Sequence, residues 1–166
     1  MSKVTFPTSG MIRRLSEEIP AELFGGKAAT LSKLIRSGVP VPEGIAIHYA
    51  GVGWAVEAEA VSAIRTIVRC TTPLVVRSSA VGEDGAQASH AGQYKSVLNL
   101  YEDREVLPAI YSVQRSGRSK RVLNYRESQG LLGVARLGCI IQRMIIPSLA
   151  AVIFTRHPIT GDNEVI

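Results

Sequence analysis

Residues 75–99 read VVRSSAVGEDGAQASHAGQYKSVLN, with apolar segments on both sides of a glycine-bearing middle. Its apolar start, from Leu74 to Val76, predicts a strand that ends at Arg77. A loop of small, polar and glycine residues follows over 78–92, of a length that is usually functional or mobile. Residues 93–98 then alternate as in a half-buried strand. The stretch therefore predicts two strands joined by a long, glycine-bearing loop.

The flanking sequence adds more strands and helices. Gly25-Gly26 opens a helical pattern that ends at Gly38, and the longest helical pattern covers 102–128. A further helix is predicted at 54–69, and strands are predicted at 11–15, 45–48, 139–146 and 150–155, the last two joined by a turn. We expect an α+β fold, a mainly antiparallel sheet with flanking helices, in a single domain over 1–166.

The composition is that of a folded protein. Hydrophobic residues make up 46% and charged residues 20% of the 166. No apolar stretch approaches the roughly 20 residues of a membrane span, and the start lacks the apolar core of a signal peptide. The two cysteines do not form a disulfide framework. We therefore expect no membrane partner and a cytoplasmic location.

The net charge of +5 is concentrated in a basic segment between Arg115 and Arg126. Nucleic acid is one partner that such charge attracts. Aromatic residues are only 5%, however, and no aromatic stacking run is present, which argues against that partner. A basic helix face is usually solvated surface, and an anionic small molecule such as a nucleotide triphosphate would use the charge equally well.

Two cations stand in contexts that suit a phosphate. Lys27 follows Gly25-Gly26 at a helix start, where free N–H groups attract an anion. The spacing is not that of a P-loop, and a surface lysine on a glycine-rich helix start is the alternative. Arg77 is predicted at the carboxyl end of a strand, where its planar donors suit phosphate. Its alternative is a structural ion pair with Glu83 or Asp84.

Other candidates are less distinctive on their own. Gln142 and Met144 lie in an apolar strand that could border a purine ring, unless its polar members simply face water. The loop after Arg77 could cover a triphosphate, although its glycines do not match GxGxxG. His90, in that loop, invites a phosphohistidine hypothesis, but a lone histidine there is more often exposed or hydrogen-bonding.

Five ordered blocks together resemble the amino-terminal nucleotide-binding domain of the phosphoenolpyruvate synthase and pyruvate phosphate dikinase family. They are GGKAATLSKLIRSGVPVPEGIAI, VVRSSAVGEDGAQASHAGQYKSVLN, LNYRESQG, GCIIQRMI and AAVIFTRHPITG. The resemblance covers nearly the whole chain and extends to rifampicin phosphotransferases and to glucan and water dikinases. It implies an ATP-grasp-like fold, in which two lobes clasp ATP.

The resemblance also implies roles for particular residues. Lys27 and Arg77 match the basic residues that contact the phosphates, where they would stabilise charge on the transferred phosphoryl group. Gly92 matches the phosphate-loop glycine, and Ser96 lies on the strand that follows. Gln142 and Met144 match the strand that borders the adenine.

Three departures from the family pattern shape the expected function. The stretch before Arg77 looks shorter than usual, the residues that hold Mg²⁺ in the family would lie beyond Ile166, and the phosphohistidine and pyruvate-binding domains have no counterpart in these residues. Glu83, Asp84, Asp162 and Glu164 do not match the metal-binding positions. We expect a truncated domain that does not catalyse ATP cleavage alone. Downstream domains or a second chain would complete the site and set the phosphate acceptor.

Two alternatives to a part of a phosphotransferase stay open. One is a stand-alone nucleotide-binding or regulatory module that acts without catalysis. The other is a structural remnant that oligomerises through an exposed sheet edge.

Overall fold

The computed structural model describes residues 10–50, 61–64, 72–82, 94–128, 130 and 133–151. These residues include five strands and four helices, whose ranges are given in the next sentence. In chain order they are β1 (Ile12–Arg14), α1 (Ala21–Phe24), α2 (Gly26–Arg36), β2 (Gly44–Ile47), β3 (Leu74–Ala80), β4 (Ser96–Leu100), α3 (Asp103–Ser116), α4 (Lys120–Ser128) and β5 (Leu137–Arg143). Residues 61–64 are also helical. No helix among the described residues is long and apolar enough to cross a membrane.

The strands form one antiparallel sheet in the order β1-β2-β5-β3-β4. The last described strand, β5, lies in the middle, where it pairs with β2 on one side and β3 on the other. Six of its seven residues are buried, as expected for a strand covered on both faces. The α+β fold with an antiparallel sheet and flanking helices is therefore confirmed.

Each face of the sheet has its own hydrophobic cluster. Ile110 and Val113 of α3 belong to a cluster with the strand residues Val76 and Ile141. Phe24 and Ala28, from α1 and α2, belong to a second cluster with Ala46 and Ile140. Since neighbouring residues of a strand point to opposite faces, residues that pair with Ile140 share the α2 side. Arg77 is the partner of Ile140 in β3 and so lies on the α2 side of the sheet.

The start of α2 is fixed tightly against β3. Gly25 has φ 88° and ψ 160°, a backbone conformation open essentially only to glycine. A Cβ at this position would overlap the carbonyl oxygen of Ser79. The Ser79 hydroxyl in turn accepts a hydrogen bond of 3.0 Å from the Ala28 N–H. Gly25 therefore serves the packing of α2 on β3.

The prediction that the strand ends at Arg77 is wrong. β3 continues through Ala80, with Ser78 and Ser79 paired to Cys139 and Gly138 of β5. Both serines are buried, because their backbones pair in the sheet and the Ser79 hydroxyl has its partner in α2. Arg77 thus lies in the middle of a strand, and the loop starts later than predicted.

The helix predicted over 102–128 is two helices. α3 ends at Ser116, and Gly117 passes so close to Leu137 that a Cβ would lie 2.6 Å from its Cδ1 atom. The Ser119 hydroxyl then accepts a hydrogen bond from the Val122 N–H at 3.4 Å, so it caps the start of α4. The break lets the chain turn around Leu137.

Other predicted elements agree within a few residues or lie outside the described chain. β1 and β2 match the strands predicted at 11–15 and 45–48, whereas β4 begins at Ser96 and not at residue 93. Of the helix predicted at 54–69, residues 61–64 are described and helical. Most of the strand predicted at 150–155 lies outside the described residues.

A small aromatic group follows β2. The His48 ring stacks on Tyr49 at 4.5 Å between centroids and meets Phe24 edge-on at 5.6 Å. Burial lowers the pKa of His48 below its ordinary value. Its Nδ1 atom accepts a 2.8 Å hydrogen bond from the Ala50 N–H, which requires that nitrogen to be unprotonated.

Candidate functional site

An open crevice of about 430 Å³ lies on the α2 side of the sheet. Four residues that the sequence singles out line it together: Arg77, Ser96, Gln142 and Met144. The rest of the lining is mostly apolar and comes from Leu31, Pro42, Val75, Leu98, Arg143 and Ile145. The volume falls in the range of ligand pockets, about 300–1,000 Å³.

The sheet register explains why these residues meet. Arg77 of β3 pairs with Ser96 of β4, and Val75 of β3 pairs with Gln142 of β5. Paired residues in an antiparallel sheet put their side chains on the same face. Three strands distant in sequence thus deliver their side chains to one surface.

Arg77 is the one charged residue of β3, and it is half-buried. Within the described part of the chain, its guanidinium makes no ion pair with a carboxylate. A half-buried guanidinium without a counter-charge favours binding of an anion. Glu83 and Asp84, the alternative partners, lie outside the described residues.

Lys27 lies beside the crevice and not in its lining. Its ammonium donates a hydrogen bond of 3.2 Å to the carbonyl oxygen of Ser78, the residue after Arg77. Leu31, one helical turn further along α2, lines the crevice. The fold therefore brings Lys27 to the residue that follows Arg77 in β3, although 51 positions separate Lys27 from Ser78.

The first turn of α2 offers fewer free donors than its sequence suggests. The Ala28 N–H is bonded to the Ser79 hydroxyl and is not available to a ligand. The close approach of Gly25 to Ser79 accounts for that glycine without any ligand. In the Gly25-Gly26-Lys27 motif, the lysine side chain remains the main candidate for contact with an anion.

Gln142 forms part of the opposite, more apolar end of the crevice. It is 3% exposed, and its Nε2 atom donates a hydrogen bond of 3.0 Å to the carbonyl oxygen of Pro42. This bond holds the amide in one orientation. The prediction that Gln142 is a ligand contact stays open, but the alternative that it simply faces water is wrong.

The backbone after β5 distinguishes Ile145 from the two residues before it. The N–H groups of Arg143 and Met144 are already bonded to the carbonyl oxygens of Glu43 and Pro73. The Met144 sulfur also accepts a hydrogen bond from the Asn99 N–H at 3.4 Å. Among the described residues, the Ile145 backbone has no such partner. Ile145 is therefore the better placed residue to bond a ligand through its N–H.

Two of the sequence candidates lie outside the described residues, namely Gly92 and His90. Within the described ranges, no three or more histidine, cysteine, aspartate or glutamate side chains cluster as metal ligands would. The described crevice thus has Arg77 on one side, with Lys27 nearby, and on the other a largely apolar, amide-bearing end that also includes Arg143. This arrangement suits a molecule with an anionic part and a flat, largely apolar part.

Comparison with known proteins places the chain in a family. A family described as "Pyruvate phosphate dikinase, AMP/ATP-binding domain" matches residues 52–166. That match contains Arg77, Ser96, Gln142 and Met144, whereas Lys27 precedes it.

Individual relatives extend the similarity toward the start of the chain. A probable phosphoenolpyruvate synthase of Staphylothermus marinus is 29% identical over an alignment of 199 residues, which covers 87% of this chain and 23% of the relative. A phosphoenolpyruvate synthase of Aeropyrum pernix is 27% identical over 87% of this chain and 24% of the relative. A rifampicin phosphotransferase of a Streptomyces species is 37% identical over 54% of this chain and 10% of the relative.

The chain spans about a quarter or less of the length of these relatives. The 199-residue alignment is also longer than the 166 residues of this chain, so the synthase has residues within the aligned region that have no counterpart here. With the antiparallel α+β fold and the match over residues 52–166, the chain belongs to the AMP/ATP-binding domain family of pyruvate phosphate dikinase.

Proposed function

We propose that the chain is the ATP-binding portion of a dikinase-type phosphotransferase and that ATP binds in the crevice on the α2 side of the sheet. In this proposal Lys27 and Arg77 contact the phosphates, with Gly92 and Ser96 beside them. Gln142, Met144 and the Ile145 backbone border the adenine. Bound ATP supplies the phosphoryl group for transfer.

The observation that carries the proposal is the shared crevice. Arg77, Ser96, Gln142 and Met144 line it together, and Lys27 reaches the residue that follows Arg77. Two cations near one polyphosphate would offset its charge better than either alone. Their role toward ATP is electrostatic, since phosphoryl transfer depends chiefly on positioning and charge stabilisation.

We further propose that these 166 residues do not catalyse ATP cleavage by themselves. The relatives are several times longer, which supports a site completed by other domains of the same protein or by a second chain. In the family resemblance, those parts hold Mg²⁺, whose charge offsets the charge that develops between the phosphates. The phosphate acceptor also belongs to them.

The binding proposal is tested by calorimetric titration of ATP into the wild-type chain and single variants. Lys27→Ala and Arg77→Ala should each weaken binding about tenfold to a hundredfold, the loss expected for a charge-assisted hydrogen bond. Lys33→Ala and Arg36→Ala remove the same charges from exposed positions of α2 and should change affinity less than about twofold. Equal losses of affinity in all four variants would show that ATP binding depends only on the net charge of the chain.

The catalytic proposal is tested in the same protein samples by release of inorganic phosphate from ATP with and without Mg²⁺. We expect no turnover above the protein-free background. Robust, metal-dependent hydrolysis by the wild-type chain that is lost in Arg77→Ala would contradict it, because the chain would then hold a complete site.

A binding module without catalysis is the second candidate, and the rim of the crevice favours a partner surface there. Leu98, Ile145 and Ile146 are 55%, 58% and 70% exposed beside the crevice. Apolar side chains exposed together commonly mark an interaction surface. Light scattering with and without ATP separates self-association through this surface from simple nucleotide binding.

A further inference from the structure

A second cavity, of about 410 Å³, lies on the α3 side of the sheet and plays no part in the ATP proposal. Its charged lining consists of Arg115, in the last turn of α3, Arg118, two residues after that helix, and Arg136, just before β5. Arg115 and Arg118 belong to the basic segment between Arg115 and Arg126, which does not contribute to the crevice. The guanidinium groups thus come from two separate parts of the chain.

Gln114, one of the lining residues of this cavity, carries an unsatisfied amide. Both side-chain polar atoms of Gln114 are shielded from solvent, and neither has a hydrogen-bond partner among the described residues. A buried amide without partners costs free energy, and a turn of the Gln114 side chain toward the cavity would recover it through a bond to a ligand there. One donor and one acceptor therefore point to a missing polar partner.

The remaining lining supplies a flat, apolar surface. Tyr49, Tyr111 and Leu137 contribute to the walls. The Arg136 guanidinium lies 5.5 Å from the centroid of the Tyr49 ring, a cation–π contact that restrains its position. Arg115 at a helix end would complement the helix dipole, but the dipole explains neither Arg136 nor the unsatisfied Gln114 amide.

The charges of this cavity are not neutralised by the protein. Among the described residues, Arg115, Arg118 and Arg136 make no ion pair with a carboxylate. Three guanidinium groups around one space suit the oxygens of a phosphate dianion better than a single carboxylate charge. The volume also leaves room for an organic group beside the tyrosines.

We propose that this cavity binds a small organic phosphate, with Arg115, Arg118 and Arg136 on the phosphate and the Gln114 amide on a polar group of the organic part. The site is separate from the crevice, since α3 and α2 cover opposite faces of the sheet. Such a site would let a phosphorylated small molecule bind at the same time as a ligand of the crevice.

The test is a titration of the full chain with phenyl phosphate, inorganic phosphate and benzoate at fixed ionic strength, followed by NMR. Phenyl phosphate should bind at least about tenfold more tightly than benzoate and more tightly than inorganic phosphate. The largest chemical-shift changes should fall on residue 114 and residues 134–137. Phenyl phosphate that binds no better than benzoate would overturn the proposal.

Variants give the second readout. The double variant Arg118→Ala/Arg136→Ala should weaken phenyl phosphate binding about tenfold or more, whereas Arg104→Ala, on the first turn of α3, should leave it within about twofold. An equal loss in Arg104→Ala would mean a diffuse basic surface and would overturn the site. Gln114→Met removes the amide at similar side-chain length and should weaken binding while the chain stays folded. Unchanged affinity in Gln114→Met would overturn the role of the amide.

The same titration separates this proposal from the ATP proposal. If phenyl phosphate binds in the crevice instead, Arg77→Ala will weaken it and the shifts will centre on 75–79, which would overturn the second site. If ATP fails to bind the chain but phenyl phosphate shifts the NMR signals of residues 134–137, the crevice proposal fails and the cavity proposal stands.

Discussion

The two faces of the sheet carry cavities of nearly equal volume but different construction. The crevice on the α2 side has its buried amide fixed, with Gln142 bonded to Pro42. The cavity on the α3 side has its buried amide unsatisfied, with Gln114 lacking a partner among the described residues. The comparison teaches that similar size does not imply similar organisation. One site is held by the protein itself, and the other has polar groups left for a ligand or water.

The largest expected effect comes from a substitution that disturbs the α2 face alone. Gly25→Ala should destabilise the chain by about 3 kcal/mol or more, because it forces alanine into a glycine-only conformation and overlaps Ser79. Gly38→Ala is the matched control, since Gly38 has φ 83° but nothing within 4 Å of an added Cβ. Gly38→Ala should lower the free energy of unfolding by about 1 kcal/mol. Urea denaturation measures both.

The difference between the two glycine variants is the informative quantity. It contains the contact between α2 and β3 together with the stricter, glycine-only backbone conformation of Gly25. Equal destabilisation would mean that α2 does not press on β3 as the structure shows. Lys27 would then lose its defined position at the carbonyl oxygen of Ser78.

Replacement of each buried amide by methionine should have a smaller effect on stability, and one that differs between Gln142 and Gln114. Gln142→Met should lower the free energy of unfolding by about 1 kcal/mol or more, because it leaves the Pro42 carbonyl without its donor. Gln114→Met should leave stability unchanged or raise it by up to about 1 kcal/mol, because it removes an amide that has no partner among the described residues. Thermal unfolding without added phosphate measures both variants. A larger loss in Gln114→Met than in Gln142→Met would show that the Gln114 amide is satisfied.

Sequence patterns predicted most of the strands and helices, but they placed the end of β3 wrongly. Apolar runs predicted β2 and most of β5, because strands buried on both faces read as continuous apolar stretches. Ser78 and Ser79 looked like the start of a loop. They continue β3 because the Ser79 hydroxyl bonds to Ala28, a partner 51 residues away that no local pattern reveals.

Four of the candidate residues could be selected from the sequence, but their arrangement could not. Motif resemblance selected Arg77, Ser96, Gln142 and Met144, and the structure places all four in one crevice. Periodicity could not foresee that the N–H groups of Arg143 and Met144 would be used internally, which shifts attention to Ile145. Nor could it foresee that the break at Gly117 would bring the end of α3 next to Leu137. Both depend on strand register and tertiary packing.

The most direct test of the central claim compares ATP with adenosine in the double variant Lys27→Ala/Arg77→Ala. If both cations serve the same polyphosphate, the wild-type chain will prefer ATP, and the double variant will lose most of that preference while it binds adenosine as before. Isothermal titration of both ligands gives the two affinities. An ATP preference that survives both substitutions would contradict the account, and so would an equal loss of ATP and adenosine binding.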